Sequence, residues 1–254
     1  MSDATTRRPI VWRSFGLSDV GCVRKVNEDT VLASPDKNFW AVLDGMGGHQ
    51  VGDVASQKVA QCLAELNEHE CLSDGVDAVE DKLLQANQAL LDYAAEHFGK
   101  QTMGSTAVCL LINGQVGVAM WVGDSRLYRL RQNHLQQLTR DHSQLEEMLQ
   151  MNALSPEEAE VYPYKNVITR AVGVEAQLFV DISVFGVQMG DTFLLCSDGL
   201  YNSVSLEDIS ETLGENDAEK SAQKLMKTAL DNEANDNVSV VVVKGKPESV
   251  RKNV

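Results

Sequence analysis

Seven runs of apolar, largely β-branched residues punctuate the chain, at 39–43 (FWAVL), 105–112 (STAVCLLI), 115–122 (QVGVAMWV), 126–130 (RLYRL), 178–184, 192–197 (TFLLCS) and 238–244 (VSVVVVK). Each has the length and residue types of a strand on a half-buried or buried sheet. Asn113-Gly114 separates two of them. That dipeptide supplies the positive φ of a tight hairpin, so those strands pair antiparallel, and RQNH at 131–134 reads as a second turn.

Helical spacing appears at 52–67 through Val54, Ala55, Val59, Leu63 and Leu66, and at 76–97 through Val79, Leu83, Ala86, Leu90 and Ala94. A third helix is expected at 218–230, with Ala222, Leu225, Met226 and Leu230 on one face. The long helices fall together after the first strands and again near the end, which favours a layered α+β fold over a doubly wound parallel sheet. Between 142 and 170 the pattern weakens. Ser155-Pro156-Glu157-Glu158 reads as a helix start and Pro163 lies near its end. This segment is read as a flap over a site or as an insertion packed on the surface, and the pattern leaves both open.

No low-complexity segment, repeat or linker divides the 254 residues, so one domain (1–254) is expected. The 37 acidic against 22 basic residues give a net charge of −15. That argues against nucleic-acid or anionic-membrane binding. The five cysteines, Cys22, Cys62, Cys71, Cys109 and Cys196, show no Cys-x-x-Cys pair, mostly lie within apolar patterns and read as reduced core residues of a cytoplasmic protein. No apolar run approaches membrane-spanning length, the N-terminus lacks an export h-region, and the sequon at Asn237 is taken as chance.

Four apolar runs carry an aspartate at or near an end: Asp44, Asp124, Asp198, and Asp236 with Asn237. They are either unrelated turn formers or a convergent set. Convergent carboxylates need a cation, because each raises the pKa of its neighbours. Oxygen ligands then select Mg²⁺ or Mn²⁺, since the histidines show no zinc-like spacing. Two such ions about 4 Å apart are the usual device for activating water against a phosphoryl group. A cysteine-nucleophile phosphatase is excluded because no cysteine has arginine six positions on, and there is neither a P-loop nor a kinase motif set.

In order, SDVGCVRKVNED (18–29), FWAVLDGMGGH (39–49), MGSTAV (103–108), WVGDSRLYRLR (121–131), LTRDHS (138–143), NVITRAVG (166–173), LLCSDGLYNSV (194–204) and NDNVSVVVV (235–243) closely resemble the metal-dependent, type 2C family of serine/threonine protein phosphatases in its compact bacterial form. The resemblance covers about residues 13–244. It implies a four-layer α-β-β-α sandwich, two antiparallel sheets flanked by helices, with a metal site at one end. It also implies hydrolysis of phosphoserine and phosphothreonine by direct attack of a metal-bridging hydroxide, without a phosphoenzyme.

The same resemblance assigns Asp44 as the carboxylate bridging two Mn²⁺ or Mg²⁺ ions, with the Gly45 carbonyl on one of them. Asp198 and Asp236 hold the other ion, Glu28 acts through water, and Asp124 is a ligand of a third, weaker metal. Arg24 takes the phosphate, which its guanidinium fork fits. Simpler readings are turn caps for Glu28 and Asp29, and a salt bridge between Asp124 and Arg126. One position departs from animal members: Met46 stands where they carry a histidine proposed as general acid. His49 is three residues further and does not match it, so a metal-bound water is the expected proton donor.

The expected partners are phosphorylated proteins and a cognate serine/threonine kinase of the same bacterial cytoplasm, and the expected state is a monomer. A binding module without turnover would have lost a metal aspartate, and none is missing. A phosphatase for anti-sigma antagonists would usually carry a sensory domain, for which this chain has no room.

Overall fold

The computed structural model describes residues 10–47, 51–99 and 102–247. Its strands are β1 (Ile10–Asp19), β2 (Asp29–Ser34), β3 (Phe39–Met46), β4 (Gly104–Ser105), β5 (Ala107–Asn113), β6 (Val116–Val122), β7 (Arg126–Arg131), β8 (His134–Gln137), β9 (Asp181–Gly186), β10 (Thr192–Cys196) and β11 (Val238–Pro247). The helices are α1 (Gly52–Ala64), α2 (Leu72–His97), α3 (Gln144–Gln150), α4 (Pro156–Glu160), α5 (Asp198–Tyr201), α6 (Leu206–Leu213) and α7 (Ala218–Asp231).

The strands form two antiparallel sheets. One has the order β1-β11-β10-β7-β8 and the other β2-β3-β5-β6-β9, with β4 paired to β3. Between the sheets lie Trp40, Val42, Leu110, Leu127, Phe193 and Val241. The outer face of the second sheet meets Val59, Leu63, Leu83 and Leu90 of α1 and α2. The outer face of the first meets Leu200, Ile209, Leu213, Ala222 and Leu225 of α5, α6 and α7. Central strands are therefore buried on both faces, which is why FWAVL and VSVVVV are continuous apolar runs rather than alternating ones. This is the expected four-layer α-β-β-α arrangement.

The β5–β6 hairpin closes at Asn113↔Val116 with Gly114 at φ +59°, and the 131–134 turn places Gln132 and Asn133 at positive φ. The 178–184 run begins its strand only at Asp181. Strand β3 does not stop at Asp44 but runs on to Met46, so the expectation of a strand ending there is corrected. Gly45 and Met46 pair with Ser105 and Gly104, which holds the aspartate inside a ladder. Strands β1, β2 and β8 and helix α6 were not predicted; β1 mixes Arg13 and Ser14 into its apolar positions and shows no clean alternation. Segment 142–170 leaves and returns through the Ser143↔Ile168 bridge, with Gln144 N–H donating to Val167 O at 2.9 Å and Thr169 N–H to His142 O at 2.8 Å. Ser155 forms a capping box with Glu158 at the start of α4.

Candidate active site

One cleft of about 270 Å³ is lined by Arg24, Glu28, Asp44, Gly45, Met46, Thr106, Asp124, Asn166, Ile168, Asp198, Asp236 and Asn237, among others. All seven residues singled out by the sequence therefore meet at one end of the sandwich. His49 lies outside the described residues.

Asp44 is fixed by its own backbone. Its N–H donates to Thr106 Oγ1 at 3.0 Å, its carbonyl accepts from Thr106 N–H at 2.8 Å, and Thr106 Oγ1 also bonds Ser125 Oγ at 2.7 Å. The chain thus ties the floor of the cleft to the Gly-Asp-Ser motif. Burial first, and then the charges of Asp29, Asp198, Asp124 and Asp236, push the Asp44 carboxyl well above its ordinary pKa.

Glu28 and Asn237 hold the opposite wall. Glu28 N–H donates to Asn237 Oδ1 at 2.8 Å, and Asn237 Nδ2 donates to Val20 O and Val26 O at 2.9 and 3.0 Å. One side-chain amide therefore fastens both ends of the loop that carries Arg24. Glu28 O accepts from Gly45 N–H at 3.1 Å, and Glu28 Oε1 accepts from Gly52 N–H at 3.2 Å. A Cβ on Gly52 would stand 2.5 Å from Glu28 Oε1 and 2.8 Å from Gly45 O, and one on Gly45 would stand 1.9 Å from Gly52 O. The glycines at these two positions let a carboxylate and a carbonyl crowd against one backbone.

Asp198 opens α5, and Asn202 Nδ2 donates to its Oδ2 at 3.2 Å. Its pKa rises to about 6, mainly by burial and then by Asp236. Asp124 is 8% exposed and burial, with Asp198 next, carries it to about 7. It does not pair with Arg126. That guanidinium is bidentate on Asp141, at 2.6–3.1 Å, and lies 3.6 Å from the Tyr201 ring centroid. His142 Nδ1 accepts from Gly123 N–H at 3.0 Å and fixes the backbone just before Asp124. Arg24 Nη2 donates to Asp236 Oδ2 at 2.7 Å while half its side chain stays in solvent, and this bond raises its already high pKa.

Four residues escaped the sequence reading: Asp29, Thr106, Asn166 and Asn237 as a clamp. Asp29 is 7% exposed, accepts from Ser197 Oγ at 2.7 Å, and is raised by burial to about 7. Its position directly before Thr30-Val31-Leu32 was the available signal, the same pattern of an acid beside an apolar run that marked Asp44.

Among the described residues no three His, Cys, Asp or Glu side chains are drawn together as a ready-made metal cage. The carboxylates instead face one another around the cleft, and burial first, then mutual repulsion, raises the pKa of Glu28, Asp44, Asp124 and Asp198. Of the described lining residues only Arg24 is cationic. Oxygen donors alone, with no cysteine or histidine among the described lining residues, fit a hard divalent cation.

The family model described as Protein phosphatase 2C matches residues 12–147. The chain belongs to the protein phosphatase 2C family. It is 36% identical to the serine/threonine protein phosphatase PstP of Mycobacterium tuberculosis over 93% of its length, and it spans about half, 45%, of that longer relative. It is 34% identical to the serine/threonine phosphatase stp of Listeria welshimeri, covering 89% of this chain and 93% of that one. Among solved structures, PppA, a key regulatory component of T6SS in Pseudomonas aeruginosa, superposes with a TM-score of 0.87 at 37% identity, over 94% of this chain and 100% of that one. The catalytic domain of PstP in complex with two manganese ions gives 0.85 at 34%, over 93% and 99%. The family match ends before Asp198 and Asp236, whose place in the cleft comes from the structure.

Proposed function

We propose that the chain hydrolyses phosphoserine and phosphothreonine in proteins, using two Mn²⁺ or Mg²⁺ ions. The observation that carries this reading is the meeting of five carboxylates and one arginine in a single cleft. Asp44 and the Gly45 carbonyl would hold the pair of ions together with Asp198 and Asp236, Glu28 would act through water, and Asp124 would take a third, weaker ion. When bound, the ions supply Lewis acidity and a lowered pKa for water.

The protein's own contributions follow from the geometry. Thr106 and Ser125 keep Asp44 at the floor, and Asn237 keeps the Arg24 loop at the rim. Arg24 is the group that meets the phosphoryl oxygens, and its fork matches two of them. Water attacks phosphorus, the serine or threonine oxygen leaves, and inorganic phosphate is the second product. Met46 has no proton to transfer, so the departing oxygen takes its proton from water.

Segment 142–170 contributes Asn166 and Ile168 to the cleft and exposes Met151, Val161 and Tyr164 to solvent. We assign it to substrate choice, as a flap. No helix among the described residues is long and apolar enough to cross a membrane. We place the chain in the cytoplasm on its five free cysteines, of which Cys22 and Cys71 are exposed rather than in the core as expected, and take it as a monomer that opposes a serine/threonine kinase.

The deciding experiment is hydrolysis of a phosphothreonine peptide by the purified protein with Mn²⁺, with chelator, and by Asp44→Asn with Mn²⁺. Turnover that needs Mn²⁺ and vanishes in the folded variant supports the assignment. Metal binding without turnover of any phosphopeptide would overturn it in favour of a phosphoprotein-binding module.

A further inference from the structure

Of the seven arginines among the described residues, Arg24, Arg126, Arg131, Arg140 and Arg170 each stand within ion-pair distance of a carboxylate. Arg13 is exposed to solvent. Arg129 is the exception: it is partly buried, and no carboxylate among the described residues pairs with it. In a chain with 37 acids and 22 bases this is an unusual economy.

Its hydrogen bonding is also incomplete. Arg129 Nη2 donates to Gln136 Oε1 at 2.6 Å, but Nη1 reaches Gly186 O only at 3.5 Å, and the buried Nε has no partner. The nearby carboxylate, Asp191, is already held bidentately by Arg131 at 2.7 Å and also accepts from Gln188 N–H. Arg131 Nη2 takes the same Gly186 carbonyl at 2.8 Å. Two guanidinium groups thus converge on one neutral oxygen. Burial and the charge of Arg131 both lower the Arg129 pKa. An anion at the solvent-facing side of the guanidinium would relieve the repulsion and offer Nη1 a closer, charged acceptor than Gly186 O, while the buried Nε stays out of its reach.

A cavity opens at this point. Arg129, Arg131, Gln115 and Gln188 form its polar wall, and Ile10, Val187 and Met189 its apolar wall. Its volume is about 650 Å³, against 270 Å³ for the carboxylate cleft. That is room for a small molecule, not only an ion. It lies at the end of the sandwich away from catalysis, because β7 starts beside Asp124 and ends at Arg131, while β10 starts beside Asp191 and runs toward Asp198.

We propose that this cavity is a second binding site, for a small molecule that carries a carboxylate or phosphate group on an apolar body. Arg129 holds the anionic group, and Ile10, Val187 and Met189 pack against the remainder.

The test is calorimetric titration of the full chain, kept in chelator, with phenylphosphonate, benzoate, inorganic phosphate and neutral benzamide. Phenylphosphonate or benzoate is expected to bind saturably, inorganic phosphate more weakly, and benzamide not at all. Arg129→Gln should weaken binding by about 10–100-fold, the factor for one charge-assisted hydrogen bond. Met189→Asp, at a side chain 46% exposed, should weaken it without touching the core. Arg24→Gln should leave it unchanged. With Mn²⁺ restored, hydrolysis of p-nitrophenyl phosphate by Arg129→Gln and Met189→Asp should match the parent, which serves as the folding control. Failure of both organic anions to bind, undiminished binding in Arg129→Gln and Met189→Asp, or loss of binding in Arg24→Gln would overturn the proposal.

Discussion

Asp29 stands directly opposite Asp44 in the β2–β3 ladder, and the same Asp29 carboxylate accepts a hydrogen bond from Ser197, one residue before Asp198. Two acids on adjacent strands, joined by a hydroxyl to a third, make a charge cluster that the fold holds together at a cost. A cation in the cleft removes that cost.

The acid cluster sets a pH dependence that metal should abolish. Without metal, Asp29 and Asp124 sit near 7 and Asp198 near 6, while the unfolded chain titrates near 4. Between those values the native state binds more protons than the unfolded one, so native stability falls as pH rises. In chelator, the melting temperature should drop from pH 5 to pH 8 by more than it does with saturating Mn²⁺. Equal slopes in the two conditions would contradict the electrostatic account.

Asp29→Asn removes one negative charge while keeping the shape. It should raise the melting temperature of the chelated protein at pH 8 and weaken Mn²⁺ binding by about 10–100-fold, the usual effect of losing a supporting group. A variant that melts higher yet binds Mn²⁺ as tightly as the parent would make Asp29 merely structural.

Thr106→Val deletes the acceptor for Asp44 N–H and the partner of Ser125, both buried. The unpaired groups should cost about 1–3 kcal/mol each at most, read from urea unfolding. Phosphatase activity should fall more than stability explains, because the floor of the cleft loses its anchor. Full activity per folded molecule would show that the ladder alone fixes Asp44.

Gly52→Ala sets a methyl carbon against Glu28 Oε1 and Gly45 O. Displacing these two oxygens by about an ångström should reduce kcat roughly 100-fold, with circular dichroism unchanged. Normal turnover would mean that neither oxygen contributes.

Replacing Met151, Val161 and Tyr164 with serine tests the flap assignment. Hydrolysis of p-nitrophenyl phosphate should be unchanged, while the ranking of phosphopeptides by kcat/KM shifts. An unchanged ranking would reduce segment 142–170 to surface packing.

A layered α+β class was legible from periodicity because the long amphipathic helices and the doubly buried strands carry strong patterns, whereas the four-layer, two-sheet arrangement came only from the family resemblance. Strands β1 and β2 were not, since their apolar positions are interrupted by residues that only a partner explains. Asp44, Asp124, Asp198 and Asp236 stood out as acids beside apolar runs, and their convergence needed the fold. Whether Asp124 paired with Arg126 was undecidable without knowing that Asp141, fifteen residues away, lies on the same face. Asn237 looked like a turn residue, yet its clamp on Val20 and Val26 spans more than 200 positions of chain. Local patterns carry no information about partners that distant.

The pairing of β1 with β11 runs from Asp19↔Val238 to Ile10↔Pro247. Ten residues of strand span about 30 Å, so the first pair borders the loops of Arg24 and Asp236, and the last pair lies at the opposite pole. Ile10 and Pro247 are therefore neighbours at the pole remote from the carboxylates, beside the Arg129 cavity. A reporter tethered through either of these strand ends would stand well clear of incoming phosphoproteins yet beside the Arg129 cavity, so it would signal occupancy of that second site without obstructing turnover.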